Sequence, residues 1–233
     1  ATVAGSLSLT LGANTTSVLT IDSAGDQIDT LNVTASVAQT ALDIRADSTA
    51  TTGDTINLLG SKAYTVAATA TALALNASSA TGVITATAAA AGIKSVTGGS
   101  AADQLTLTAG DASTSVNGGA GNDTITINGT TVATQSIDGG TGTDTLSVGG
   151  ATDVSAGTFQ NVEIVAQGAN TFALTQSQAV NGLTFTGTGA VTVKGLAASV
   201  DLSNLVFSST AGVVMDAVNN SAPTLGTATG RTY

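Results

Sequence analysis

The chain has 233 residues, of which 9% are charged and 3% aromatic, with one proline, no histidine and no cysteine. Without His or Cys there is no structural zinc site, haem, iron–sulfur cluster, thiol nucleophile or disulfide. The net charge is −10 and the five cations, Arg45, Lys62, Lys94, Lys194 and Arg231, form no basic stripe. With so few cations nucleic acid is not an expected partner, and since no apolar run approaches the roughly 20 residues of a bilayer span, a transmembrane helix is rejected and no membrane insertion is expected.

Residues 1–96 read as a Thr/Ala-rich β region. Alternating segments begin with Ser6 to Leu11, Ser17 to Ile21 and Thr30 to Thr34, and turn signals stand at Gly25-Asp26, Gly53-Asp54 and Gly60. The turns at Asp26 and Asp54 are read as Asp-stabilised β-turns without an ion. Residues 63–92 are rich in Ala, a good helix former. Their β-branched residues nevertheless alternate, which predicts strands whose alanines fill a narrow core, with a helical turn at Ala86 to Ala91.

Residues 97–150 carry the most specific signal. Gly118 to Thr126 reads GGAGNDTIT and recurs 21 residues later as GGTGTDTLS, Gly139 to Ser147; a worn copy, GGSAADQLT, spans Gly98 to Thr106. Glycines at the first, second and fourth places permit positive φ, so the turn can aim backbone carbonyls at one point. After each turn comes a short strand whose period of two sends Leu105/Leu107, Ile125/Ile127 and Leu146/Val148 to one face. A repeat of about 20 residues is too small to bury its own apolar face, so units must stack into a solenoid. Stacking at about 4.8 Å aligns Asp103, Asp123 and Asp144 in a column. Neighbouring carboxylates about 5 Å apart repel by roughly 0.8 kcal/mol in water and about 3 at an effective dielectric near 20. A divalent cation between them reverses the sign. The expected ligands are all oxygen, which suits Ca2+: the carboxylates of Asp103, Asp123 and Asp144 and the turn residues Gly99, Gly119, Gly121, Asn122, Gly140 and Gly142. Two inter-coil sites are expected, between the Asp103 and Asp123 turns and between the Asp123 and Asp144 turns. The first is the weaker, because Ala101 replaces the fourth-place glycine. Asp138 reads as a solvated loop residue, the alternative being that it caps the next turn or lends an oxygen, and Asp111 as a turn residue on the opposite edge.

Residues 151–233 continue the strand rhythm without the ligand set: Val162/Ile164, Phe172/Leu174, Leu183/Phe185, Val191/Val193, Val200/Leu202, Val206 and Val213/Met215. Gly149 to Asp153 imitates the motif start but loses its register. The sole glutamate, Glu163, is read as outward-facing and solvated. Residues 219–233 look like a linker. The whole chain reads as one elongated all-β parallel solenoid, a β-helix or β-roll of 11 or 12 coils and about 55 Å.

The two full motifs and the partial one resemble the RTX calcium-binding nonapeptides, pattern GGxGxDx(aliphatic)x, of type I-secreted Gram-negative proteins. In that family the nonapeptides run in tandem and both edges of the roll bind calcium. Here Thr108 to Asn117 and Asn128 to Asp138 lack the glycines, so the resemblance implies calcium along one edge only. The wider Thr/Ala/Ser/Val/Asn texture is similar to RTX-type surface-layer proteins and large adhesins. It implies a structural, non-enzymatic component of a secreted bacterial surface layer or extracellular lattice, with Ca2+ driving folding and assembly. Copies of itself are the expected partner and a cell-surface polysaccharide is a further candidate. The alternative is a calcium-folded stalk or module of an RTX adhesin or exoenzyme. RTX proteins are generally long, Ala1 is not an initiator Met and the residues before the first strand are no charged-then-apolar leader, so the chain is read as excised from a longer protein in preference to a processed one. A sugar-cleaving β-helix would need paired carboxylates in a cleft, aromatic platforms and basic residues, for which two Tyr, no Trp and five cations are poor equipment.

Overall fold

The structure, a computed structural model, describes residues 5–15, 19–21, 29–46, 55–67, 74–88, 93–108, 114–128, 135–180, 182–196, 202–207 and 213–216. The turns at Gly25-Asp26 and Gly53-Asp54, Asp111, Ala89 to Ala91, Val200 and the tail from residue 217 lie outside them. The chain is a parallel β-solenoid of about 8 turns.

One long sheet is formed by Ser6–Leu11, Thr30–Ala35, Thr55–Leu59, Ala74–Asn76, Ser95–Thr97, Ser115–Asn117, Ser136–Asp138 and Thr158–Gln160, paired in that order. A second runs through Gln39–Leu42, Tyr64–Val66, Ile84–Ala88, Gln104–Thr108, Thr124–Asn128, Thr145–Val148, Ile164–Gly168, Thr184–Gly187 and Val206–Phe207. Both cross residues 96 and 150 without a break. A third, Thr152–Asp153, Phe172–Thr175, Val191–Lys194 and Val213–Asp216, gives the C-terminal coils another face, and Leu19–Ile21 pairs with Ile44–Ala46 near the other end. All these pairings are parallel because each coil returns the chain in the same direction, one rung further on.

The turn count is lower than the 11 or 12 expected from a uniform 20-residue repeat. In the first sheet Ser6 pairs with Thr30 and Thr30 with Thr55, so the early coils consume 24 and 25 residues. Within the motif block the spacing falls to 20 and 21, as in Gln104↔Thr124 and Thr124↔Thr145. The nine strands of the second sheet, eight spacings at about 4.8 Å, span about 38 Å.

The core follows the period-two pattern. Leu105, Leu107, Ile125, Ile127, Leu146 and Val148 are buried as expected. Residues 64–66, 74–76 and 84–88 are strands, with Ala86 and Ala88 inside, so the first half of the expected helical turn is strand. The core widens toward the C-terminal coils. There Phe159, Phe172, Phe185 and Phe207 pack in series with ring centroids 5.8, 5.9 and 5.2 Å apart, the first pair edge to face, the second tilted and the last stacked. Two sequence assignments shift by one residue. Val165, not Ile164, fills the core, and Leu205 is buried while Val206 is 51% exposed. The single helix among the described residues, Gln176–Ala179, was legible only in its capping box, Thr175 with Gln178.

Polar order holds the rungs from outside and at the corners. On the first sheet Asn76 Nδ2 donates to Asn57 Oδ1, Asn57 Nδ2 to Asn32 Oδ1 and Asn32 Nδ2 to Ser6 Oγ, a side-chain ladder at the rung spacing. Buried glutamines tie the turns: Gln39 Nε2 donates to the Ala13 and Val37 carbonyls while its Oε1 accepts from Thr15 N–H. In the C-terminal coils Asp153 pairs with Lys194. Burial alone would push the Asp153 carboxyl up; the Lys194 ammonium and the Ser155 hydroxyl and N–H outweigh that and hold it below its usual value.

Ile127 is fully buried whereas Leu7 is 42% exposed. Ile127→Ala is expected to cost about 2–5 kcal/mol in denaturant unfolding and Leu7→Ala no more than about 0.5. Equal effects would contradict this assignment of the core.

Candidate metal centre

The strands Gln104–Thr108, Thr124–Asn128 and Thr145–Val148 are in register, so the aspartates just before them share one column. Each carboxylate reaches back one coil. Asp103 Oδ1 accepts from Ile84 N–H at 2.8 Å, Asp123 Oδ1 from Asp103 N–H at 2.7 Å and Asp144 Oδ1 from Asp123 N–H at 2.7 Å. The series continues at a residue that carries no motif: Glu163 Oε2 accepts from Asp144 N–H at 2.7 Å. Glu163 therefore does not simply face solvent, as its isolated place in the sequence suggests. It stands in register with Asp144, one residue before Ile164, which pairs with Thr145. Asp138 is likewise no solvated loop residue. Ending the strand Ser136–Asp138, it accepts from Gly140 N–H and Asn161 Nδ2 at one oxygen and from Asn117 Nδ2 and Gln160 Nε2 at the other.

The three column aspartates are each only 1% exposed. Both oxygens of Asp103 are occupied, since Oδ2 accepts from Gly99 N–H at 2.6 Å. Asp123 Oδ2 and Asp144 Oδ2 are buried with no hydrogen-bond partner. A buried carboxylate oxygen without a donor is costly, and the usual resolutions are a proton or a cation.

The glycines shape the space around these oxygens, in two ways. In the complete motifs the second and fourth places take φ values that Cβ-bearing residues avoid: Gly119 +96°, Gly121 +128°, Gly140 +98° and Gly142 +142°. The first place needs glycine for room instead. A Cβ on Gly118 would lie 2.2 Å from the Gly139 carbonyl oxygen and 2.4 Å from Asp123 Oδ2, so those two oxygens converge beside the Gly118 Cα. The same cradle one coil earlier brings the Gly118 carbonyl and Asp103 Oδ2 within 2.1 and 2.5 Å of a Cβ position on Gly98. The carbonyls nearest the carboxylates thus belong to the first-place glycines Gly118 and Gly139, which the motif displays but the sequence reading passed over. The expected ligands Gly99 and Gly119 use their carbonyls to accept from Ala120 and Thr141 N–H, and Asn122 is exposed with Oδ1 accepting from Thr143 N–H. Gly121 and Gly142 pack coil on coil, a Cβ on either meeting the Ala101 or Gly121 carbonyl.

The donor set is oxygen throughout. Among the described residues no three His, Cys, Asp or Glu side chains gather, so a cation here would be held by carbonyl and carboxylate together, the chemistry of Ca2+ rather than of zinc or iron. Residues fit best at the Asp123 level, where the unpartnered Oδ2 and the Gly139 carbonyl meet. They fit less well at the Asp103 level, where both carboxylate oxygens already have donors. Comparison with family models, with curated proteins and with solved structures finds no match.

Burial, and then the flanking Asp103 and Asp144 charges, push the Asp123 carboxyl from 3.8 to about 7 against the opposing Asp103 N–H bond. Burial raises Asp103 and Asp144 as well, the latter helped by the Glu163 and Asp138 charges. A carboxyl raised on folding stabilises the folded state fully below its unfolded pKa, and that contribution is lost as pH rises through the folded value. Calcium-free protein is therefore expected to melt at progressively lower temperature as pH rises from about 4 to about 7. Saturating calcium should abolish or reverse this slope, since the cation requires the deprotonated form. A calcium-free melting temperature that stays level across this range would contradict the column's protonation.

Proposed function

We propose that the chain is a calcium-rigidified structural solenoid, a component of a secreted bacterial surface layer or extracellular lattice. One observation carries the reading: the buried Asp123 carboxylate keeps an oxygen without a donor, aimed into a cradle with the Gly139 carbonyl. Calcium bound there would neutralise a stack of like charges that the parallel register forces together. The carboxylate of Asp123 and the carbonyl of Gly139 would hold it, with a weaker counterpart at Asp103 and Gly118.

The stack gives such an ion a folding role. Strand pairing between coils and ligand convergence arise from the same rung-to-rung register, so ligation stabilises the solenoid itself. In a medium poor in calcium the carboxylate column opposes folding; at the roughly 10^-4 to 10^-3 M affinities common for extracellular calcium sites, export to millimolar calcium favours it. The resemblance of the motifs to RTX repeats supports secretion by a Gram-negative cell. It also supports copies of the chain as the partner, with a cell-surface polysaccharide as a further candidate. The low charge and Thr/Ser/Asn-rich strands suit packing against other solenoids more than binding a charged substrate.

Molar mass by light scattering, followed as calcium is restored to chelated protein, tests both halves. Growth into large ordered particles together with a rise in melting temperature is expected, with both lost in Asp123→Ala. A melting temperature indifferent to calcium would refute the calcium role. A calcium-stabilised monomer at all concentrations would refute the lattice and leave a spacer.

A further inference from the structure

The coil that follows the last motif closes differently from the others. Gln160 pairs with Asp138, placing Asn161 level with Gly139, and Glu163 is level with Asp144. Four residues separate Gly139 from Asp144, but only Val162 separates Asn161 from Glu163. The turn is cut short, and the extra methylene of glutamate lets its carboxylate reach the N–H that an aspartate reaches in the preceding coils.

Asn161 departs from its surroundings too. At φ 53° it is the one non-glycine residue in the left-handed region among those described. Its side chain is held by the bond from Nδ2 to Asp138 Oδ1 at 2.7 Å. Asparagine tolerates this conformation better than most residues, and a non-glycine residue held there often marks a functional constraint. The result is a carbonyl aimed at the preceding coil: a Cβ on Gly139 would meet the Asn161 oxygen at 1.7 Å and Asp144 Cβ at 2.8 Å. The Asp144 side chain thus starts beside this carbonyl; it is 1% exposed, and its Oδ2 lacks any partner.

We propose that the Asn161 to Glu163 coil completes a further calcium site that no repeat motif encodes. Asp144 Oδ2 and the Asn161 carbonyl are ligands, and Glu163 is a positioning residue that fixes the Asp144 backbone and adds negative charge on the far side. The inference rests on the calcium reading above and extends its register by one coil. Each carboxylate works with the carbonyl of the coil after it, so Asp123 and Asp144 serve separate ions. Pairing by motif alone instead makes Asp123 and Asp144 share one, and gives Glu163 no part.

Counting bound Ca2+ by equilibrium dialysis, with circular dichroism to verify the fold, separates the two. Asp123→Asn and Asp144→Asn keep a side-chain oxygen for the N–H each carboxylate accepts. Each is expected to remove a different ion, so Asp144→Asn on the Asp123→Asn background loses one more. Glu163→Gln should weaken only the Asp144-dependent ion, by about tenfold or more as for other supporting residues of metal sites. No further loss in the double variant together with unchanged affinity in Glu163→Gln would overturn the additional site while leaving calcium binding intact. Wild-type protein that binds no calcium would overturn the underlying reading as well.

Discussion

The hydrogen bond from each aspartate N–H to the carboxylate of the following coil sets the terms for the rest of the block. At this position the turn leaves the backbone N–H of Asp103, Asp123 and Asp144 facing the next coil's carboxylate, which accepts it. Parallel stacking repeats that solution at each rung of the block, so satisfying the amides stacks carboxylates in a buried column. One oxygen of each is used and, at Asp123 and Asp144, the other is left over. The glycines follow from the same demand. With the carboxylate turned inward and the next coil's carbonyl close above it, no side chain fits at Gly118 or Gly139, and the turn must return through left-handed dihedrals. Like-charge stacking, the donorless oxygens and the glycine pattern are thus consequences of one geometric requirement, and the proposed divalent cation would answer all three.

The column occupies a limited part of the solenoid, and its ends are made by different chemistry. Before it, Ile84 offers only its N–H, accepted by Asp103, and brings no carboxylate. After it, Glu163 accepts the last N–H across a shortened turn. Further along, coils rely on apolar volume, with phenylalanines packed in series and an additional sheet face. The partly exposed ion pair of Asp153 with Lys194 adds little beside such packing.

Much of the fold was legible because its signals are local and repeated. Period-two alternation identified the strands, and the 20- and 21-residue motif spacing gave the stacking register that aligns the column. Uniform extension of that spacing overstated the number of coils, because coil length is set by loops that carry no repeat. What the sequence hid was whatever depends on neighbours in other coils. Glu163 looks solvated when read alone, and Asp138 looks like a loop residue, since the partner of Glu163 and all those of Asp138 except Gly140 N–H lie in other coils. The roles of the motif glycines were half visible: positive φ accounts for the second and fourth places, whereas the first is reserved by contacts from the next coil. Buried glutamines such as Gln39 follow the same rule, being polar residues whose burial makes sense only once distant turn carbonyls are brought to them.

Hydrogen exchange of individual amides, compared between chelated and calcium-loaded protein, reaches the central claim most directly. Calcium at about 100 times its dissociation constant should slow exchange at the Asp103, Asp123 and Asp144 amides by up to about 100-fold. Amides remote from the column, such as that of Tyr64 bonded to the Val83 carbonyl, should change much less. Equal rates with and without calcium at the three aspartate amides, or one uniform change along the whole chain, would contradict a column whose stability is set locally by a bound cation.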